Sequence, residues 1–339
     1  MSDKRTALVI GATGGIGAEV ALNLGKRGWR VRAMHRRPAV AAQRFAELGS
    51  LDWVPGDAMV PADVAATAAG TQLIVHAANP PGYRNWRGLA LPMLDSTIAA
   101  AEAAGARIVF PGTIYNFGPD AFPSLRETSP QNPHTRKGAI RVEMERRLEA
   151  AAGRGVRTLV VRAGDFFGPR AGNSWFAQGL VKPGKPVRSV VYPGRPDVGH
   201  AWAYLPDLAE AIVQLIERGD ALAAFDVFHF RGHVFERGIE IAEAIRRVVG
   251  DPRLPIRSLP WMAIRVLAPL VTTFREMLEM QYLWRQSVTL DNTKLVAALG
   301  AEPHTPLDRA VAVTLAGLGC RSGGIDPAVD GGDVRIVSA

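Results

Sequence analysis

Residues 6–17 read TALVIGATGGIG, an apolar run followed without a break by a glycine-rich turn. The run Thr6–Ile10 has the uncharged, β-branched character of a buried strand, and a helical pattern begins after the turn. In this setting Gly11 would allow a tight turn, and Gly14 would let the backbone approach a pyrophosphate. The start of the helix would offer N–H donors to the phosphates. The stretch therefore predicts a dinucleotide-binding turn whose contacts are Gly11, Thr13, Gly14, Gly15, Ile16 and Gly17.

Short β-branched runs alternate with helical patterns in the first half of the chain. The candidate strands are Thr6–Ile10, Arg30–Met34, Leu51–Val54, Gln72–His76, Arg107–Phe110 and Arg157–Arg162. This alternation is typical of a parallel sheet covered by helices on both faces. The sequence predicts an α/β fold, a Rossmann-type doubly wound parallel sheet with a smaller C-terminal substrate lobe.

The pattern loosens after Gly168, where prolines and glycines interrupt short apolar pieces. Later elements are expected at Pro206–Glu217 (helix), Phe225–Phe230 (strand), and Gly238–Val249, Trp261–Leu283 and Asp291–Leu299 (helices). We expect residues 1–168, with returns at 204–232, to form the nucleotide-binding domain. Residues 169–203 and 233–320 would form the substrate lobe, and the Gly- and Asp-rich residues 321–339 a flexible tail.

Composition restricts the class of protein. Of 339 residues, 47% are hydrophobic and 21% charged, which is typical of a globular chain. The single cysteine, Cys320, excludes an internal disulfide and a cysteine-rich metal site, so no metal is expected. The first residues lack the apolar core of a signal peptide, which favours a cytoplasmic location. The segment Trp261–Val271 is too short to span a bilayer, so no membrane partner is expected.

The net charge of +8 raises the question of a nucleic-acid partner. The arginines are scattered along predicted helices and do not form one basic and aromatic stripe. An ordinary basic surface, or a ligand that carries phosphate, is therefore favoured over nucleic acid.

The second predicted strand is followed by His35-Arg36-Arg37. Proteins selective for NAD usually carry an acidic residue here, which accepts hydrogen bonds from the ribose 2′-hydroxyl. A guanidinium instead suits the 2′-phosphate of NADP. His35, Arg36 and Arg37 therefore favour NADP over NAD as the cofactor, although an exposed loop in an Arg-rich chain would look the same.

Several motifs recur in the order found in the extended short-chain dehydrogenase/reductase family, the NAD-dependent epimerase/dehydratase proteins, which this chain resembles over most of residues 5–317. The motifs are Gly11–Gly17, Gly56-Asp57, His76-Ala77-Ala78, Val109–Thr113 with Phe117-Gly118, Arg162–Pro169, Tyr204–Ala209 and Asp291–Leu295. The resemblance implies cofactor contacts at Asp57, Ala58, Ala77, Ala78, Asn79, Arg141, Ala163, Gly164 and Asp165. It makes Thr113 the hydroxyl that holds the substrate oxygen. It also implies a homodimer formed through helices near Trp86–Ala104 and Arg136–Ala152.

One family feature is missing. The family's proton donor is a Tyr with a Lys four residues later, and no Tyr-x-x-x-Lys occurs in the corresponding segment. Glu145 is similar to the family's glutamate after that Lys, which puts Lys137 at the Tyr position and Arg141 at the Lys position. Arg141 could keep the ribose contact, and a lysine beside a like charge gives up its proton more readily. Lys137 is therefore a candidate acid.

Other candidate acids are Tyr115, His134 and Asp165. Three of these candidates also have a purely structural interpretation: Lys137 as a solvated helix residue, His134 as a helix-start residue and Tyr115 as packing.

We expect an NADP-dependent oxidoreductase or epimerase-like enzyme that transfers hydride to or from a small, partly apolar or sugar-like carbonyl or alcohol. The alternative is a non-catalytic NADP(H)-binding redox sensor or partner protein, which the altered Tyr/Lys pair would favour.

Overall fold

The computed structural model of the chain describes residues 5–49, 51–80 and 85–320. The predicted flexible tail, 321–339, lies outside the described residues. In chain order the strands are β1 Thr6–Ile10, β2 Arg30–His35, β3 Asp52–Pro55, β4 Leu73–His76, β5 Arg107–Thr113, β6 Ser124–Leu125, β7 Thr158–Ala163, β8 Asp165–Phe167, β9 Val190–Tyr192, β10 His200–Tyr204, β11 Phe225–Phe230, β12 His233–Phe235, β13 Ile256–Ser258 and β14 Thr289–Leu290. The helices are α1 Gly15–Lys26, α2 Pro38–Arg44, α3 Pro61–Ala68, α4 Trp86–Ala104, α5 Arg136–Ala152, α6 Leu205–Glu217, α7 Glu240–Val249, α8 Trp261–Leu267, α9 Thr272–Glu279, α10 Thr293–Leu299 and α11 Leu307–Gly317.

These elements form two compact units, each built from three segments of the chain. The first unit takes its described residues from Met1–Asn116, Gln131–Arg162 and Ala209–Phe228. The second takes its described residues from Phe117–Pro130, Ala163–Leu208 and His229–Ala339.

A seven-stranded sheet organises the first unit, in the order β11-β7-β5-β4-β1-β2-β3. β1 pairs in parallel with both β2 and β4, so the strand order reverses between β1 and β4. Ligands of doubly wound folds bind outside the carboxyl ends of the strands at such a reversal. The predicted fold class, a Rossmann-type α/β fold, is confirmed.

Apolar side chains of the central strands pack this sheet against helices. Leu8, Ile74 and Ile108 on adjacent strands are fully buried, and they pack with Leu94 of α4 and Leu148 of α5. Continuous apolar runs such as these are expected for strands covered on both faces.

The second unit has three small sheets, β12-β10-β8, β13-β9 and β14-β6. Its core is rich in aromatic residues, among them Phe167, Phe176, Trp202 and Trp284. These rings pack with the apolar face of α7, represented by Ile241.

One predicted helix, Trp261–Leu283, is wrong as a single element. The structure divides it into α8 and α9, with a short 3₁₀ turn at Gln281–Trp284. Pro269 lies in the break, because proline has no N–H to donate and disfavours helical backbone in the residue before it. Within the part of the chain that the structure describes, no helix is long and apolar enough to cross a membrane.

Candidate functional site

The glycine turn between β1 and α1 brings three backbone segments into close contact. Gly11 has a φ of +95°, and a Cβ there would lie 2.7 Å from the carbonyl carbon of Ala77. A Cβ on Gly17 would collide with the carbonyl oxygen of Gly11. α1 starts at Gly15 with Gly14 as its N-cap, so no side chain caps the helix and its first turn contains no acid. The turn suits a phosphate, which backbone N–H groups and the helix dipole would hold.

The ends of β2 and β3 lie side by side, with His35 paired to Pro55. The N–H of Arg37 donates to Nδ1 of His35 (3.1 Å), which fixes the turn after β2. The side chains of Arg36 and Arg37 are exposed. These guanidinium groups are therefore available to an anionic ligand.

Asp57 and Ala58 follow β3 at the same sheet edge. The N–H of Asp57 donates to Oδ2 of Asp63 (2.9 Å), and Asp57 Oδ1 accepts from the N–H of Met59 (3.0 Å). Ala58 is buried. These bonds hold the loop after β3 in one conformation.

β4 ends at a buried histidine. Nδ1 of His76 lies 2.7 Å from Oγ1 of Thr97 in α4. Burial and the charge of Arg141 lower the pKa of His76 to about 3, so the ring is neutral. Ala77, Ala78 and Asn79 follow directly and are at least partly exposed. The end of β4 thus combines a fixed, uncharged ring with an open backbone segment.

Lys137 and Arg141 lie one turn apart on the buried face of α5, with 4% and 5% of their surfaces exposed. The interpretation of Lys137 as a solvated residue is therefore wrong. Nη2 of Arg141 donates to Oδ1 of Asn79 (2.8 Å). The same guanidinium lies over the rings of Trp86 and Phe110, 5.4 Å from each centroid. This arrangement ties α5 to the end of β4.

The first turn of α5 is fixed at two points. Oγ1 of Thr135, the N-cap, accepts from the N–H of Gly138 (2.9 Å). A Cβ on Gly138 would collide with the carbonyl oxygen of Tyr115. His134 is exposed and precedes the cap, so it lies just outside α5.

Thr113 ends β5 and begins the segment that meets this turn. Its Oγ1 accepts from the N–H of Tyr115 (3.3 Å). The close contact between Gly138 and Tyr115 therefore brings the segments that carry Thr113, Tyr115, Lys137 and Arg141 together within the first unit.

Glu145 and Arg162 form a buried ion pair between α5 and β7. Nη2 of Arg162 lies 2.5 Å from Oε2 of Glu145, and both side chains are almost fully buried. This pair fixes the rotation of α5, and with it the direction of Lys137 and Arg141.

Ala163, Gly164 and Asp165 belong to the second unit, and all three are buried. Oδ2 of Asp165 lies 2.7 Å from Nε2 of His200. The ring of His200 stacks on Trp284, with centroids 4.0 Å apart. Asp165 is thus held in a buried contact with His200 within the second unit.

The sequence of this chain matches a known protein family. Residues 7–229 match the model of the NAD dependent epimerase/dehydratase family. The chain belongs to this family. "Uncharacterized protein y4nL" of Sinorhizobium fredii (strain NBRC 101917 / NGR234) is 24% identical over 335 residues, which cover 88% of this chain and 91% of that protein.

Two solved structures share the fold of this epimerase/dehydratase-family protein. UDP-galactose 4-epimerase is 20% identical, with a TM-score of 0.70 over 92% of this chain and 98% of that one. UDP-glucuronic acid 4-epimerase from Bacillus cereus, in complex with NAD, is 14% identical, with a TM-score of 0.73 over the same shares of the two chains.

Each unit of this epimerase/dehydratase-family protein also contains contacts that no sequence motif indicated. Trp86 and Phe110 flank Arg141, Thr97 holds His76, and His200 holds Asp165. In each of these contacts the two partners lie too far apart in the sequence to belong to one short motif.

Proposed function

We propose that this family member is an NADP(H)-dependent oxidoreductase or epimerase that acts by hydride transfer on a small sugar-like or partly apolar carbonyl or alcohol. The observation that carries the proposal is that Lys137 and Arg141 are buried on one face of α5. Arg141 also donates to Asn79, in the segment beside the glycine turn. The alternative, a non-catalytic NADP(H)-binding protein, remains an outcome of the experiments below.

The cofactor would be held mainly by backbone and by arginine. The N–H groups at the start of α1 would bind the pyrophosphate, and Arg36 and Arg37 the 2′-phosphate. Asp57 and Ala58 would lie along the adenine, and Ala77, Ala78 and Asn79 along the rest of the nucleotide. Arg141 would bind the nicotinamide ribose in place of the family's lysine. Ala163, Gly164 and Asp165, which the resemblance also implies as cofactor contacts, belong to the second unit.

The bound nicotinamide supplies or accepts a hydride, so the chain must move the proton. During reduction of a carbonyl, the substrate oxygen gains a proton as the carbon gains the hydride. We assign that proton to the ammonium group of Lys137, with the hydroxyl of Thr113 donating a hydrogen bond to the same oxygen. Tyr115 is the substitute donor if Lys137 serves only to bind.

Calorimetric titration tests the cofactor. We expect the wild type to bind NADP+ and NADPH more tightly than NAD+ and NADH, although the solved UDP-glucuronic acid 4-epimerase contains NAD. Arg36→Ala/Arg37→Ala should remove this preference, by tenfold or more if one charge-assisted pair of about 1.5–3 kcal/mol is lost. Arg44→Ala, an exposed arginine of α2, is the matched control and should bind as the wild type does. Preference for NAD+ in the wild type would contradict the NADP assignment.

Turnover tests the proton donor. UDP-galactose, UDP-glucuronic acid and a panel of small aldehydes and ketones are offered with NADPH, and both NADPH oxidation and sugar epimerisation are followed. Lys137→Met should reduce kcat about 10²-fold or more and leave NADPH binding unchanged. Lys137→Tyr/Arg141→Lys, which restores the family pair, should recover activity. Tight NADPH binding with no turnover by the wild type would favour the non-catalytic alternative.

A further inference from the structure

Helix α8 and the turn after it expose an apolar surface. Met262, Val266 and Leu270 have 70%, 72% and 84% of their surfaces exposed, the highest values among the large apolar residues of the described chain. Leu267 and Val271 are exposed beside them. Elsewhere in the described chain, exposed large apolar residues are fewer and more scattered. A concentrated apolar surface often marks an interaction site, and we call these five residues the α8 patch.

The α8 patch is held in place. Ile264 and Ala268, on the opposite side of the segment, are buried. The indole N–H of Trp261 donates to the carbonyl oxygen of Pro193 (2.6 Å), and its ring lies 6.3 Å from that of Trp175. The segment is therefore anchored on the core of the second unit by one face and presents the other face outward.

The chain segment that contains the α8 patch is rich in arginine. Residues 252–279 contain four arginines, Arg253, Arg257, Arg265 and Arg275, and two glutamates, Glu276 and Glu279 at the end of α9. All four arginines are exposed. Exposed apolar residues in a segment with several exposed arginines match a lipid surface, where the apolar chains enter the headgroup region and the guanidinium groups meet phosphate.

We propose that the α8 patch docks this protein on a membrane surface that carries acidic phospholipids. A second copy of the chain fits less well, because in a symmetric dimer the patch would face itself and its four arginines would approach like charges. Docking needs no membrane-spanning helix. The proposal therefore replaces the expectation of no membrane partner, which rested only on the length of the segment. The proposal is independent of the cofactor and of the reaction.

Vesicle flotation with the full chain tests the proposal. We expect the protein to float with vesicles of equal parts phosphatidylglycerol and phosphatidylcholine, and not with phosphatidylcholine alone. Val266→Ser/Leu270→Ser should weaken binding about tenfold or more, since several apolar carbons leave the lipid. Arg257→Gln/Arg265→Gln should weaken binding and reduce its dependence on salt. Val40→Ser/Met59→Ser, which changes exposed apolar residues of the first unit, is the matched control and should float as the wild type does.

Three results would overturn the proposal. The first is no flotation of the wild type with acidic vesicles. The second is equal flotation with acidic and neutral vesicles. The third is self-association that Val266→Ser/Leu270→Ser abolishes, without any vesicle binding. Circular dichroism confirms that each variant is folded, so a loss of binding reports on the surface.

Discussion

Glu145 and Arg162 carry opposite charges where water has almost no access, since 4% and 1% of their side chains are exposed. Removal of one partner leaves the other charge buried and unpaired. We expect Glu145→Gln to lower the free energy of unfolding by about 3–5 kcal/mol, measured with urea. Glu143→Gln, whose carboxylate pairs with Arg146 and Arg147 on the surface, should cost no more than about 1 kcal/mol. Equal losses at both glutamates would contradict this ranking.

His76 makes stability depend on pH. Its pKa falls from 6.5 in the unfolded chain to about 3 in the native protein. Between these two pH values the histidine is protonated in the unfolded chain and neutral in the native protein. The stabilisation is complete above pH 6.5 and is lost as the pH falls towards 3, by up to about 1.4 kcal/mol per pH unit. His233, whose pKa burial and His304 lower to about 4, acts in the same direction.

His76→Gln tests this linkage. Urea unfolding at a series of pH values should show a shallower loss of stability below pH 6.5 in this variant than in the wild type. His134→Gln, which changes an exposed histidine, should leave the slope unchanged. A wild-type slope in the His76 variant would show that other groups dominate acid unfolding.

At the scale of the element, the start of α5 determines where Lys137 lies. Thr135→Ala removes the hydroxyl that accepts from Gly138, and we expect it to destabilise the protein by about 1 kcal/mol. Thr135→Ser keeps the hydroxyl and should retain most of the stability. Because the freed turn carries Lys137, turnover should fall more than cofactor binding in Thr135→Ala. A variant as stable and active as the wild type would show that the contact of Gly138 with Tyr115 fixes the turn alone.

Local patterns predicted much of the element order. The strands β1 and β11 were predicted with the bounds that the structure shows, because period and flanking residues agree there. The helices near Trp86–Ala104 and Arg136–Ala152, which the resemblance implied, are present as α4 and α5. The prediction of one helix over Trp261–Leu283 was wrong because the apolar residues keep a helical period across the segment, although the helix is interrupted near Pro269. The Arg141–Asn79 and Asp165–His200 contacts join residues far apart in the chain. No pattern within one segment contains such contacts, so the site could be predicted only as a set of segments.

At the scale of the whole molecule, we propose a homodimer formed through α4 and α5. The two helices pack together and are joined on the surface by Asp95 with Arg147 and by Glu102 with Arg154. Ala99 is exposed between these ion pairs, which permits close approach of another helix. Light scattering at micromolar concentration should give a dimer mass, and Ala99→Arg a monomer. Val40→Arg, on exposed α2, is the control and should remain dimeric. A monomeric wild type would contradict the proposal.

The interleaving of the two units has a consequence for synthesis of the chain. The sheet of the first unit ends in β11, which follows the whole Ala163–Leu208 segment of the second unit. A ribosome must therefore translate as far as residue 230 of 339 before the last strand of the sheet exists. Until then the nascent protein carries β7 as an open strand edge, to which strands of other nascent chains can add. Chaperone demand during translation should accordingly peak between the emergence of β7 and that of β11.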